Sequence, residues 1–319
     1  MSEQIDQHLL NIPVLKGFVK FLRKAHIPGF SGMSIYDLIK IYVKGIFHGT
    51  LSARAGGIAF SFLMAIFPFL IFILTVIKYI PIEGFQGDFI FLINQWLPPT
   101  TNDAVYDNAI APILNHNYGG IISLYFLLSV LFMTNGITAI FGGFETSYHI
   151  NINRSFFKQY IIALGVALLL ALYLVLTVIV AFYFEVMIGH LKTSGIVSDA
   201  VYWIQLSQNT FFALMLFVTV ATLYYFGTKE GKFSTFFSPG AIMTTLLFFI
   251  LFRLFGIYVV KYSKYNELYG SIGTLLVFML FIWLNSILLL LGFELNASLN
   301  QLKIIKKANQ QKETKDKKQ

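Results

Sequence analysis

A chain of 319 residues that is 57% hydrophobic, 17% aromatic and only 12% charged carries more apolar surface than one soluble core of ordinary proportions can bury. That composition excludes an ordinary soluble domain and makes the bilayer the expected solvent. Zero cysteines exclude disulfides and thiolate metal sites, and a net charge of +8 raises the question of where the basic residues sit.

In chain order, residues 1–56 are expected to form a cytoplasmic N-terminal segment. Within it SIYDLIKIYVKGIFH, 34 to 48, begins with Ser34 and Asp37 in capping-box-like spacing and then repeats apolar residues at Ile35, Leu38, Ile39, Tyr42, Val43, Ile46 and Phe47. That is an interfacial amphipathic helix, with Lys40 and Lys44 available to lipid phosphates. The earlier VLKGFVKFLRKA has a similar character, and Pro28 and Gly29 separate the two. Residues 1–56 show no isolated apolar core followed by a small-residue cleavage site, so the first span is expected to act as an uncleaved signal-anchor.

Six segments then reach the roughly 20 residues that cross about 30 Å of hydrocarbon as a helix. They are 57–80, 118–141, 160–188, 210–227, 239–260 and 270–297. Continuous apolar runs of this length lack the alternation of barrel strands. The expected fold is all-α: a polytopic membrane protein with six transmembrane helices over 57–297, an N-terminal amphipathic helix before them and a basic cytoplasmic tail, 298–319, after them. Between the first two spans, 81–117 carries Glu83, Asp88, Asp103 and Asp107 with no Lys or Arg, and Pro98 and Pro99 split it into two short pieces that cap the bundle externally.

Lys and Arg set the orientation. Residues 1–56, 142–159, 228–238 and 298–319 together hold 18 of the 23 basic residues. Basic residues are retained on the cytoplasmic side, so both termini are expected there. The tail KKANQQKETKDKKQ reads as a solvated basic tail beside anionic lipid rather than as a nucleic-acid site. Tyr79, Trp96, Tyr118, Tyr202, Trp203, Tyr262 and Tyr269 fall near the outer boundary, and Tyr148, Tyr160, Tyr224 and Tyr225 near the inner one. Trp283, in mid-span, is read as a packing residue.

The spans also carry polar stripes. At 100° per residue Arg54, Gly57, Ser61, Met64, Pro68 and Thr75 of span 1 fall within an arc of about 80°. Ser271, Thr274, Asn285, Gly292 and Asn296 of span 6 occupy a similar arc, and Thr134, Thr138 and Glu145 of span 2 a narrower one of about 40°. Unpaired polar groups are costly in lipid, so the three stripes are expected to face one another across a polar interior. Close helix packing explains the same residues, because small side chains permit close approach and hydroxyls bond across helices. Both readings stand at this point.

Ionised groups within spans cost at least about 2.5 to 3.5 kcal/mol on insertion scales. Glu185 and Arg253 lie at compatible depths toward the outer side and form one candidate ion pair. Glu145 and Glu294 lie at one depth near the cytoplasm, level with Arg54, and both belong to an echo: GGFETSYHIN at 142–151 and LGFELNASLN at 291–300 share GFE, with Asn six residues after the Glu. Glu294 points about 140° from the Asn285 stripe, so span 6 is expected to meet partners on two sides. The substrate-path or gating candidates are therefore Arg54, Ser61, Thr134, Thr138, Glu145, Asn285, Glu294 and Asn296, with Arg54 neutralising one or both carboxylates.

There is no HExxH, no GxSxG and no phosphate-binding glycine loop, and His8, His26, His48, His116, His149 and His190 show no metal-ligand spacing. No enzyme activity, metal or other cofactor is expected. SARAGGIAFSFLMAIFPFLIFIL, NGITAIFGGFETSYHI, FSPGAIMTTLLFFILF and YNELYGSIGTLLVFMLFIWLNSILLLLGFELNAS together resemble the YihY/virulence factor BrkB family of bacterial inner-membrane proteins, formerly labelled ribonuclease BN. The resemblance runs over about residues 35 to 302, and the family pattern often has Asn where Glu145 stands. It implies six spans and a suspected transporter or permease role. The function expected is transport of a small solute or amphiphile between spans 1, 2 and 6; the alternative is a non-transporting scaffold for cell-envelope factors. Membrane lipids are the expected partners, nucleic acid is not, and homo-oligomerisation is open.

Overall fold

The computed structural model describes residues 34, 36, 49–77, 87, 121–145, 155–193, 200–227, 236–262 and 271–316. Six helices fill these ranges: α1 (Gly49–Ile77), α2 (Ile121–Glu145), α3 (Phe156–Thr193), α4 (Ala200–Gly227), α5 (Pro239–Tyr262) and α6 (Ser271–Asp316). Each coincides with one expected span. Among the described residues, Phe126–Glu145, Phe156–Thr177, Tyr202–Gly227, Pro239–Val259 and Leu275–Gln301 are long and apolar enough to cross a bilayer. α1 contributes the apolar stretch Leu51–Ile66. The N-terminal amphipathic helix, apart from Ser34 and Tyr36, and nearly all of the segment 81–117 lie outside the described residues.

The ends differ from expectation in instructive ways. Pro68 sits inside α1 without ending it, and the hydroxyl of Ser129 on α2 donates to its carbonyl. α6 does not stop near residue 297 but continues to Asp316, making it 46 residues or about 69 Å long. Nothing between Phe293 and Asp316 is Gly or Pro, and Leu, Lys, Gln, Ala and Glu are good helix formers. Most of the basic tail is therefore an extension of the last span.

The helices pack in chain order: α1 on α2, α2 on α3, α3 on α4, α4 on α5 and α5 on α6, and α6 returns to α1. This closes a six-membered ring, and α2 also reaches α4 and α6. The core lies at the end of the ring where α1, α3 and α5 begin and α2 and α4 finish. There Leu51, Ala55 and Ile58 meet Ile140, Phe141 and Phe144, together with Ala163, Val166, Val220, Tyr224 and Ala241. From Leu289 to Leu299 every residue of α6 is buried except the half-buried Asn296, as befits a helix enclosed on all sides. Toward the opposite end Leu124, Leu127, Tyr183, Met187, Tyr202, Trp203, Leu254 and Ile257 are exposed. Dense side-chain packing seals the end of the bundle that holds this core.

Candidate functional site

The sealed end is organised around Arg54. Its Nη1 donates to the carbonyl of Gly143 at 3.0 Å and to Glu294 Oε1 at 3.4 Å, and its Nη2 donates to the same Oε1 at 3.3 Å. The two side chains are 15% and 10% exposed, so little solvent screens the pair. One guanidinium thus ties α1 to α2 and α6, using the planar fork of donors that only Arg offers. Glu145 lies two residues beyond Gly143, half-buried at the end of α2.

The echoed GFE triplets face each other here. Phe144 and Phe293 stack with centroids 4.2 Å apart and planes 9° from parallel. Tyr224 of α4 meets both edge-on, at 5.7 and 6.1 Å. Each such ring contact is worth about 0.5 to 1.5 kcal/mol beyond its buried area. Gly143 lies against Ile58 and Leu290, and Gly292 against Thr244, Tyr224 and Gly240. The repeated motif therefore gives two helices that enter the sealed end side by side, one glycine opening each contact and one phenylalanine filling the space between them.

A polar relay surrounds these rings. Tyr224 Oη donates to the carbonyl of Leu289 at 2.7 Å and lies 2.7 Å from Thr244 Oγ1. A phenol has one proton, so Thr244 is the donor in the second contact. Two turns further along α6, Asn296 Oδ1 accepts from the Gly240 amide at 2.7 Å, and its Nδ2 donates to Ser238 Oγ at 2.9 Å. Gly240 N–H is one of the orphan donors of the first turn of α5, so a side chain of α6 caps that helix. Tyr224→Phe removes the hydroxyl proton offered to the Leu289 carbonyl and the oxygen that accepts from Thr244. The expected cost is about 1 to 2 kcal/mol, read as a lower unfolding midpoint in detergent.

The other stripe residues behave differently. Ser61 Oγ donates to Gly57 O, Thr134 Oγ1 to Val130 O, Thr138 Oγ1 to Thr134 O and Asn285 Nδ2 to Phe281 O, each four residues back in its own helix. Thr134 is wholly buried, whereas Ser61, Thr138 and Asn285 are half-buried. The α1 stripe is split: Arg54 and the Pro68 carbonyl meet neighbouring helices, whereas Gly57 and Met64 are exposed and Ala55, Ile58, Ala59 and Ala65 form the buried face between. Gly136 of α2 lies against Ala65, Phe62 and the Ser61 carbonyl, which shows why alanines suit that face. On α6 the stripe and the charge separate as expected: Gly292 and Asn296 meet α5, and Glu294 meets α1. Trp283 packs against the core and donates to Ser52 O at 3.4 Å.

For the outer candidate pair, Arg253 is exposed and makes no ion pair among the described residues, and the side chain of Glu185 lies outside them. Ring contacts Phe184–Phe211 and Phe212–Phe252 put residues 184 and 252 at one level with α4 between. Tyr224, read from sequence as an interfacial aromatic, is instead 1% exposed, whereas its neighbour Tyr225 is 40% exposed. Ser238, Gly240 and Thr244 also escaped the sequence reading. The available signal was GAIMT at 240–244, where two small residues four apart mark a close helix crossing.

A family model described as Virulence factor BrkB matches residues 44–318. The chain belongs to the BrkB family. Its relatives include the "Putative ribonuclease-like protein YfkH" of Bacillus subtilis (strain 168), 30% identical over 257 residues, which span 79% of this chain and 90% of that protein. A "UPF0761 membrane protein" of Coxiella burnetii (strain Dugway 5J108-111) is 26% identical over 282 residues, 82% of this chain and 94% of that one. No solved structure matches. The match of family, apolar helices and ring packing identifies this BrkB protein as a membrane protein with several spanning helices. Among the described residues no group of three or more His, Asp or Glu could hold a metal ion.

Proposed function

We propose that this BrkB protein is a permease-like protein of the bacterial plasma membrane, with both termini cytoplasmic, whose sealed end is the closed inner gate for a small solute or amphiphile. The supporting observation is the Arg54–Glu294 pair, a charged contact held between two spans where hydrophobic packing alone would close the bundle. Opening would require α1 to leave α6, and the pair is the contact that such a motion must break. In this reading the protein is not an enzyme, uses no cofactor and binds no nucleic acid. The word "ribonuclease-like" in the name of the Bacillus subtilis relative is not carried over.

A second reading has its own observation. The hydroxyls and amide at Ser61, Thr134, Thr138 and Asn285 all bond within their own helices, as they would in a static scaffold for envelope factors. Flux separates the two. Purified protein in sealed vesicles, tested with ion gradients and lipid-like solutes, is expected to show flux that rises in a folded Glu294→Gln variant. No flux from either protein under any gradient would leave the scaffold standing.

A further inference from the structure

Arg253 is the charge that the sealed end does not use. It lies 14 residues into α5, about 21 Å from Pro239, and six residues before Val259, where the apolar span ends, about 9 Å short of that boundary. At 100° per residue it falls among Ile242, Leu246, Ile250 and Ile257, all exposed. Ile242 and Leu246 are exposed at the level where the interior of the ring is filled, so this face of α5 is the outside of the bundle, turned to lipid. An ionised guanidinium on a lipid-facing apolar stripe needs an anion.

The neighbouring helix supplies polar company. Phe212 of α4 packs against Phe249 and Phe252 of α5. Arg253 lies one turn beyond Phe249 on its face, and Gln208 and Asn209 lie one turn beyond Phe212 on its face. α4 and α5 run antiparallel through this contact, so all three side chains stand at one level, one turn nearer the end opposite the core. Asn209 and Arg253 are exposed and Gln208 is half-buried, and none of the three has a hydrogen bond among the described residues. Ser207 and Thr210 beside them are occupied by carbonyls of their own helix.

We infer that Arg253, Gln208 and Asn209 form a site for the phosphodiester of a membrane phospholipid in the leaflet at the end opposite the core. A guanidinium and two carboxamides provide the forked, charge-assisted donors that a phosphate oxygen set accepts. Snorkelling alone relieves the charge poorly, because the Cα–Cβ bonds of α5 tilt toward its N-terminus, at the sealed end and away from the nearer surface. The headgroup therefore comes to the arginine. Glu185 is the competing anion within the chain, but α4 stands between α3 and α5 at this level and Arg253 is on the outer face. The inference is independent of whether the protein transports.

Native mass spectrometry of the full chain in mild detergent, titrated with short-chain phosphatidylglycerol, tests it. Wild type should retain one lipid that Arg253→Gln binds at least about tenfold more weakly, the consequence of losing a charge-assisted hydrogen bond. Millimolar inorganic phosphate should not displace the lipid, and Glu185→Gln should leave binding unchanged. Equal lipid affinity in wild type and Arg253→Gln overturns the site. So does displacement by inorganic phosphate, which would make it a free-anion site, or tighter lipid binding by Glu185→Gln, which would mean that Glu185 already holds Arg253. If Arg253→Gln does not fold, the Gln208→Ala/Asn209→Ala variant decides: weaker lipid binding supports the site and unchanged binding overturns it.

Discussion

Gly292→Ala is expected to destabilise this protein strongly. A Cβ at 292 would overlap Thr244 Oγ1 and Tyr224 Oη and would lie 3.0 Å from the carbonyl of Gly240. None of the three can retreat freely. The two hydroxyls are bonded to each other and, through Tyr224, to Leu289 O, while Gly240 is backbone held by Asn296. The contact is reciprocal, because a Cβ on Gly240 would overlap the Gly292 carbonyl and the Asn296 carboxamide. Overpacking costs about 1 to 3 kcal/mol, and a broken buried hydrogen bond adds about 1 kcal/mol. Gly57→Ala is the control: nothing lies within 4 Å of its added Cβ, and alanine favours a helix by roughly 0.5 to 1 kcal/mol. In thermal unfolding in detergent the 292 variant should melt well below wild type and the 57 variant at or above it. A Gly292→Ala protein as stable as wild type would show that α5 and α6 do not cross here.

That contrast also shows which parts of the architecture could be read from residues alone. Length and apolarity place all six helices, five of them long and apolar enough to span among the described residues, because crossing hydrocarbon needs an unbroken run of apolar residues whatever their neighbours are. Arg54 and Glu294 could be anticipated as partners because an ionised group in a span must find an opposite charge or water, and the GFE echo put them at one depth. The facing of a span is harder. The stripe through Gly57, Ser61 and Met64 is real as a periodicity, yet it turns outward. Lipid is as apolar as a protein core, and Ser61 satisfies its hydroxyl on the carbonyl of Gly57, so no solvation penalty forces that side inward. What selects the buried face is the fit of Ile58 and Ala65 to Gly143 and Gly136 of α2, information distributed over two helices. The same holds for Tyr224. A tyrosine near a predicted boundary reads as an interfacial anchor, and only the proximity of Leu289 O and Thr244 makes it a core donor.

The Arg54–Glu294 pair gives the second large effect and bears directly on function. Arg54→Gln leaves a carboxylate that is 10% exposed facing a neutral amide, and Glu294→Gln takes this carboxylate from a guanidinium that is 15% exposed and keeps its bond to the Gly143 carbonyl. Removing one partner of a buried pair typically costs about 3 to 5 kcal/mol; these groups keep slight access to solvent, so about 3 kcal/mol is expected for each single variant. The double variant Arg54→Gln/Glu294→Gln removes both charges and should be less destabilised than the sum of the two. A double-mutant cycle on unfolding free energies should therefore show coupling on the order of 1 kcal/mol or more. Arg54→Lys should not restore stability, because one ammonium on a flexible stem does not reproduce a fork that reaches Gly143 O and Glu294 Oε1 together. Additive single effects, or full rescue by lysine, would reduce the contact to a surface ion pair of little consequence. Flux in vesicles then separates the two functional readings on the same proteins: if the pair latches a gate, folded Glu294→Gln and the charge-free double variant should both leak substrate faster than wild type, because the energy that held α1 to α6 has been removed from the closed state alone.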